Sequence, residues 1–210
     1  MSDLVFYTNP MSRGRIIRWM LEEIGCEYQT QLIEHGPAMK AASFLSINPM
    51  GKVPALSHRG RVVTETPAIL AYLADAFPDA NLAPAPEQRQ AYYRWLFFAA
   101  GPLEAALSNK HMGFEIPDDP RMRGTSGYGS YELVVEVLAK AVADVNYIAG
   151  EQFSAADIYL GSHIRWGVDV GTLPKLPEFE RYIARVSDRD AFHRAMEIDN
   201  ALMPPVNDDT

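Results

Sequence analysis

Asn48-Pro49-Met50-Gly51-Lys52-Val53-Pro54-Ala55-Leu56, followed shortly by Glu65-Thr66-Pro67-Ala68-Ile69-Leu70, is the part of the chain whose reading decides the fold. Proline after an apolar residue at the start of a strand holds that residue extended, because the pyrrolidine ring excludes the helical region for Val53. A cis Val53–Pro54 bond costs only about 0.5–1 kcal/mol. It turns the Val53 N–H and C=O out of the sheet, where they can pair with a guest backbone. Glu65 ends the next apolar run, Val62 and Val63, and Thr66 is expected at a helix N-cap with Pro67 at the first helical position. Such a helix start favours a carboxylate through its unpaired N–H groups and the positive end of its dipole. Glu65 can accept an ammonium group, so the two pieces together describe a socket for a small peptide with a free amino-acid end.

Outward from this stretch, residues 4–7 make a short apolar strand, and Ile16, Ile17, Trp19, Met20, Leu21 and Ile24 recur at helical spacing before Gly25, which predicts a helix over 13–24. Tyr28, Thr30 and Leu32 alternate with polar residues as a second strand, and 38–47 reads as a helix. Residues 54–57 and 61–64 flank a turn at Arg59-Gly60, and 67–77 closes the unit as a helix. The order β-α-β-α-β-β-α is the thioredoxin topology. Pro78, Pro84 and Pro86 mark 79–86 as a linker between a domain at 1–78 and a second at 87–210. The second reads as all-helical, with Gly101-Pro102 bending or breaking a helix over 88–107. Within it, Ser154-Ala155-Ala156-Asp157 has the form of a capping box, with Phe153 and Ile158 spaced as a hydrophobic staple. The expected fold class is therefore α/β plus all-α, a thioredoxin-like domain followed by a helical bundle, with a loose tail over 204–210.

These motifs resemble the cytosolic glutathione transferases, in particular the bacterial type of the serine and cysteine classes, and the resemblance extends over nearly the whole chain. It implies that Val53, before a cis-proline at Pro54, pairs with the cysteinyl backbone of glutathione, and that Glu65 and Thr66 take its γ-glutamyl end. Thr66 stands where serine is more usual. It also implies that the capping box opens a buried core helix, that the protein is a homodimer, and that an electrophile lies near Met11, Glu104, His111, Met112 and Trp166, with Phe114, Tyr128 and Tyr131 as further lining. Lys52 is placed to meet the glycyl carboxylate, and Lys40 less directly.

Three groups between the first strand and the first helix compete to activate the thiol: Tyr7, Asn9 and Ser12. Ser12, at the expected N-cap, is favoured because its hydroxyl and the helix dipole would act together. Counted from Phe6-Tyr7, it takes the position of the family's catalytic serine or cysteine, whereas counting back from Arg18-Trp19 puts Tyr7 at the tyrosine position. Arg13 and Arg15 oppose the dipole of that helix and need compensation, for Arg15 from an acidic side chain of the helical domain.

A formal charge of −8 argues against nucleic acid as a partner, since no basic excess exists to displace phosphate counterions. No apolar run approaches the roughly 20 residues that span a bilayer, and the start lacks the features of a signal peptide, so the expected location is cytoplasmic. The single cysteine, Cys26, reads as a packed thiol, and no metal site is expected, so any thiol chemistry should use a borrowed thiol, which the resemblance implies is that of glutathione. The function implied is conjugation of the glutathione thiolate to a small hydrophobic electrophile. Glutathione-dependent reduction of disulfides or peroxides would use the same socket, and a non-catalytic interaction module on the same fold is the third reading.

Overall fold

In the computed structural model, which describes residues 3–204, the first apolar run is β1 (Leu4–Thr8). Leu4, Phe6 and Thr8 are buried on one face, while Val5 and Tyr7 are half-buried on the other. On one side β1 pairs in parallel with β2 (Gln29–Leu32), and on the other it pairs antiparallel with β3 (Ala55–His58). β4 (Arg61–Thr64) adds antiparallel to β3, giving the order β2-β1-β3-β4. Parallel neighbours need a crossover, supplied here by α1 (Gly14–Ile24). Arg59 and Gly60 join β3 to β4 with φ of 53° and 73°, the backbone sign that matches a two-residue hairpin to strand twist.

The helix expected over 38–47 is divided. A 3₁₀ turn (Pro37–Lys40) and the short α2 (Ala42–Leu45) are separated by Ala41, whose φ of −66° and ψ of 144° are extended. Lys40 reaches away from this segment to bond the carbonyls of Met50 and Gly51 at 2.9 and 3.3 Å. α3 (Thr66–Ala76) follows the hairpin and packs against α1.

The chain divides into two compact units, one running up to Ala80 and resuming at Arg189, the other Asn81–Asp188. The last helix, α10 (Asp190–Ala201), thus groups with the sheet unit, apart from the other helices of the expected 87–210 segment. Its partner is α1, which presents Trp19, Glu22, Glu23 and Arg18 to Phe192, Arg194, Arg189 and Asp199. The expected loose tail lies outside the described residues from 205 onward.

The second unit opens with α4 (Gln90–Phe98), which passes through a wide π-helical turn (Ala99–Leu103) into α5 (Glu104–Met112). Pro102 lies in that turn, where the wider winding accommodates its missing N–H. α6 (Pro120–Thr125), α7 (Tyr131–Ala143), α8 (Ala155–Asp169) and α9 (Pro177–Ser187) complete it. α8 is the core helix, with Ala155, Ile158, Leu160 and Ile164 fully buried and α4 and α9 packed against it.

Candidate functional site

The strand registers bring the separate motifs to one end of the sheet. Tyr7 pairs with Ala55, and Ala55 pairs with Thr64, so one step further along β1, β3 and β4 lie Thr8, Pro54 and Glu65. The ladder stops at Ala55, and Val53 stands just beyond it. The Val53–Pro54 bond is cis. At this end the sheet offers an open backbone edge, a loop leading into α1 and the start of α3.

In the loop from Asn9 to Ser12 most polar groups are engaged. The Asn9 amide donates to Ile33 O at 3.0 Å and its oxygen accepts from Met11 N–H at 2.9 Å. The Asn9 carbonyl accepts twice, from Ser12 N–H at 3.1 Å and from the Ser12 hydroxyl at 2.7 Å. Ser12 Oγ in turn accepts from Gly14 N–H at 3.0 Å. The helix begins at Gly14 with Arg13 at its N-cap, one residue later than the sequence suggested, yet the Ser12 hydroxyl still caps it. Gly14 is required by crowding, since a Cβ there would run into Thr8 Oγ1. That hydroxyl is buried and makes no hydrogen bond among the described residues. Tyr7 points to the other sheet face, its ring centroid 6.2 Å from that of Phe44 on α2.

The approach to Val53 is braced from two sides. Asn48 is buried, donates its amide to Lys52 O at 2.7 Å and accepts from Met50 N–H at 3.1 Å. Sequence reading assigned this residue no task of its own, although an Asn-Pro pair before a turn signals such side-chain bonding. Lys40, weighed as a partner for the glycyl carboxylate, instead holds the Met50 and Gly51 carbonyls. The Lys52 side chain is exposed.

At the start of α3 the expected cap shifts by one residue: Glu65 is the N-cap, with Thr66 and Pro67 following as the first two helical positions. Glu65 has φ 68° and ψ 121°, a backbone that a residue with a Cβ adopts at a cost of about 1–3 kcal/mol. Its carbonyl accepts from Ile69 N–H at 2.9 Å, and its side chain gives the helix start no capping bond and is exposed to solvent. Thr66 is buried beneath it. An exposed carboxylate beside helical N–H groups without a side-chain cap is chemically able to hold both ends of a zwitterion.

Arg15 has an acidic neighbour of the expected 87–210 segment in Asp199 of α10, whose carboxyl burial pushes up and Arg15 helps to draw downward, and it makes hydrogen bonds elsewhere. Its Nε donates to Pro10 O and its Nη2 to Asn200 Oδ1, both at 2.7 Å. Of the proposed electrophile lining, Met11 belongs to the sheet unit and is exposed, while Glu104, His111, Met112 and Trp166 belong to the helical unit. His111, Met112 and Trp166 are exposed there. Glu104 is drawn inward, 3.7 Å from buried His163 and accepting from Ser108. Tyr131 donates to Thr172 O, and Tyr128 accepts from Asn109. The capping box is present: Asp157, fully buried, accepts from Ser154 N–H and Ile148 N–H at 2.9 and 2.7 Å, and from the Ser154 and Tyr182 hydroxyls at 2.9 and 2.7 Å. Phe153 and Ile158 of the expected staple are buried.

The family model described as Glutathione S-transferase, N-terminal domain, matches residues 2–75. Glutathione S-transferase GstA of Escherichia coli O157:H7 is 31% identical over 161 residues, covering 73% of this chain and 76% of that protein. The chain belongs to the glutathione transferase family. A further relative of this glutathione transferase is the maleylacetoacetate isomerase of Pseudomonas aeruginosa, 28% identical over 193 residues, covering 85% of this chain and 86% of the other. Among solved structures, a sphingomonad glutathione S-transferase complexed with glutathione superposes with a TM-score of 0.75 at 27% identity, covering 93% of this chain and 98% of that one. Among the described residues of this glutathione transferase, no helix is long and apolar enough to cross a membrane.

Proposed function

We propose that the chain binds glutathione at the open end of the sheet and presents its thiol, as thiolate, to a small hydrophobic electrophile. The observation that carries this reading is the register: Tyr7 with Ala55 and Ala55 with Thr64 bring the Ser12 loop, Val53 and Glu65 to one sheet end. In it Val53 pairs with the cysteinyl backbone, Glu65 and Thr66 take the γ-glutamyl end, and Lys52 meets the glycyl carboxylate. The protein acts as a cytoplasmic homodimer, a state that sedimentation of the purified protein tests.

Ser12 is the residue we assign to the sulfur. Its O–H can leave the Asn9 carbonyl at little cost, because Ser12 N–H still satisfies that oxygen at 3.1 Å. The bond that Ser12 Oγ accepts from Gly14 N–H polarises the hydroxyl and strengthens it as a donor. Lowering a thiol pKa from about 8.5 by about two units takes roughly 2.7 kcal/mol, and a hydrogen bond to a charged group supplies about 1.5–3 kcal/mol. Asn9 is less suited, since both ends of its amide are engaged, and Tyr7 packs beside Phe44.

A second reaction is favoured by the P. aeruginosa isomerase. A thiolate that adds to an activated double bond and leaves again changes the geometry of that bond without consuming glutathione. Titration with glutathione across pH, following thiolate absorbance beside the heat of binding, tests the common step. Binding with a lowered thiol pKa that Ser12→Ala raises is the expected result. Absence of binding would overturn the reading in favour of an interaction module, and binding without the shift would remove the thiol-activating role. Thiol consumption then separates conjugation from isomerisation, and formation of oxidised glutathione identifies reduction.

A further inference from the structure

Arg15 connects two places that the thiol chemistry alone does not link. From the first turn of α1, its Nε donates to Pro10 O at 2.7 Å, inside the loop that carries Ser12. From the same guanidinium, Nη2 donates to Asn200 Oδ1 at 2.7 Å, near the end of α10, and Nη1 lies 3.5 Å from Met196 Sδ. A cation in a first helical turn is disfavoured by the dipole, and here the Asp199 carboxylate on α10 offsets that charge electrostatically. The planar fork of arginine suits a link between the two places, because two donors on one rigid group fix the separation of two acceptors.

The far end of this link is held firmly. Asn200 follows Asp199, which is fully buried and paired with buried Arg18 at 3.2 Å. Arg189 grips Glu23 through two bonds of 2.6 and 2.7 Å, and Phe192 meets Trp19 edge to face with centroids 4.9 Å apart. The near end is a loop in which Pro10 contributes no N–H of its own, so the Pro10 carbonyl is the handle that Arg15 takes.

We propose that Arg15 and Asn200 form a strut through which α10 sets the position of the Ser12 loop, making Arg15 a positioning residue for thiol activation. This rests on the reading of Ser12 given above. The strut makes α10 part of the apparatus that holds the hydroxyl, beyond its part in the stability of the sheet unit.

The test compares Arg15→Gln, Asn200→Ala and Asn200→Asp with Arg194→Ala, which removes another link from α10 to α1, the one to Glu22, without touching the loop. The readouts are the thiol pKa of bound glutathione and amide exchange at Met11, Ser12 and Gly14 in the free protein. Arg15→Gln and Asn200→Ala are expected to raise the thiol pKa by about one unit, from about 6.5 to about 7.5, which leaves about threefold less thiolate at about pH 7, and to speed exchange in the loop. Asn200→Asp, which keeps the acceptor, is expected to restore both, and Arg194→Ala to change melting temperature alone. If Arg15→Gln shifts only the melting temperature, as Arg194→Ala does, the strut has no positioning role. Should the unaltered protein fail to bind glutathione, the reading of the site falls, while loop exchange in the free variants still decides whether α10 holds the loop.

Discussion

Arg18 and Asp199, 181 positions apart in the chain, form an ion pair in the interior of the sheet unit, Nε 3.2 Å from Oδ1, with both side chains almost fully buried. Arg18 Nη1 also donates to the Tyr28 hydroxyl at 3.0 Å and Thr30 Oγ1 at 2.8 Å, and the guanidinium carbon lies 5.1 Å from the Phe6 ring centroid. Burial holds the Asp199 carboxyl above the usual carboxylate range although Arg18 beside it pulls the other way.

Removing one partner strands the other charge. Asp199→Ala is expected to cost about 3–5 kcal/mol, measured by urea unfolding, while replacing both residues with apolar ones of similar size recovers most of the loss. A cost near zero for the single substitution would show that water reaches Arg18.

Tyr28 makes the unit sensitive to alkali. Burial, and then donation to Glu22 Oε1 at 2.6 Å, push its hydroxyl from 10.0 up to about 12. Between those values the native state keeps a proton that the unfolded chain has released, so stability is full below pH 10 and falls as pH rises toward 12. Tyr28→Phe is expected to flatten this part of the profile of urea midpoint against pH. An unchanged slope would assign the loss to other tyrosines.

Asp157 carries more than a helix cap. Four donors converge on its carboxylate, and burial pushes that carboxyl above its ordinary range even so. Asp157→Ala leaves the Ile148 N–H and the Tyr182 hydroxyl without their acceptor. The expected cost, about 3 kcal/mol or more, exceeds the roughly 1 kcal/mol of an ordinary cap. Calorimetry should record that loss with glutathione affinity unchanged. A specific loss of affinity in a normally stable variant would contradict it.

Glu65 places function and stability in opposition. Replacing it by glycine removes the Cβ from a φ of 68° and is expected to raise stability by about 1 kcal/mol, while glutathione binding weakens at least about tenfold, or 1.4 kcal/mol. Glu65→Gln keeps the strain and loses the charge, so it should weaken binding with no gain in stability. Isothermal titration beside thermal melts separates the two effects, and equal affinity for all three proteins would remove Glu65 from the site.

Much of the fold was legible because local chemistry dictates it. Alternation along β1, the helical spacing from Ile16 to Ile24, the Arg59-Gly60 turn and the Ser154–Asp157 box each act within a few residues, and each formed where expected. Where neighbours decided, the reading missed by small steps. The 38–47 helix breaks at Ala41, with Lys40 reaching across to the 50–51 turn, and both helix starts at the site moved by one residue.

The sequence by itself determined the strand and helix order, the Val-Pro edge and the acidic helix start, since these follow from backbone restriction and capping chemistry in contiguous residues. Only the tertiary structure decided that Thr8, Pro54 and Glu65 share one sheet end, because strand register is set by pairing between distant segments. It alone decided that α10 belongs with the sheet and that Arg15 spans from Pro10 to Asn200. An amphipathic helix announces that it will bury one face, but the partner it chooses depends on charges and rings presented by another helix 181 positions away.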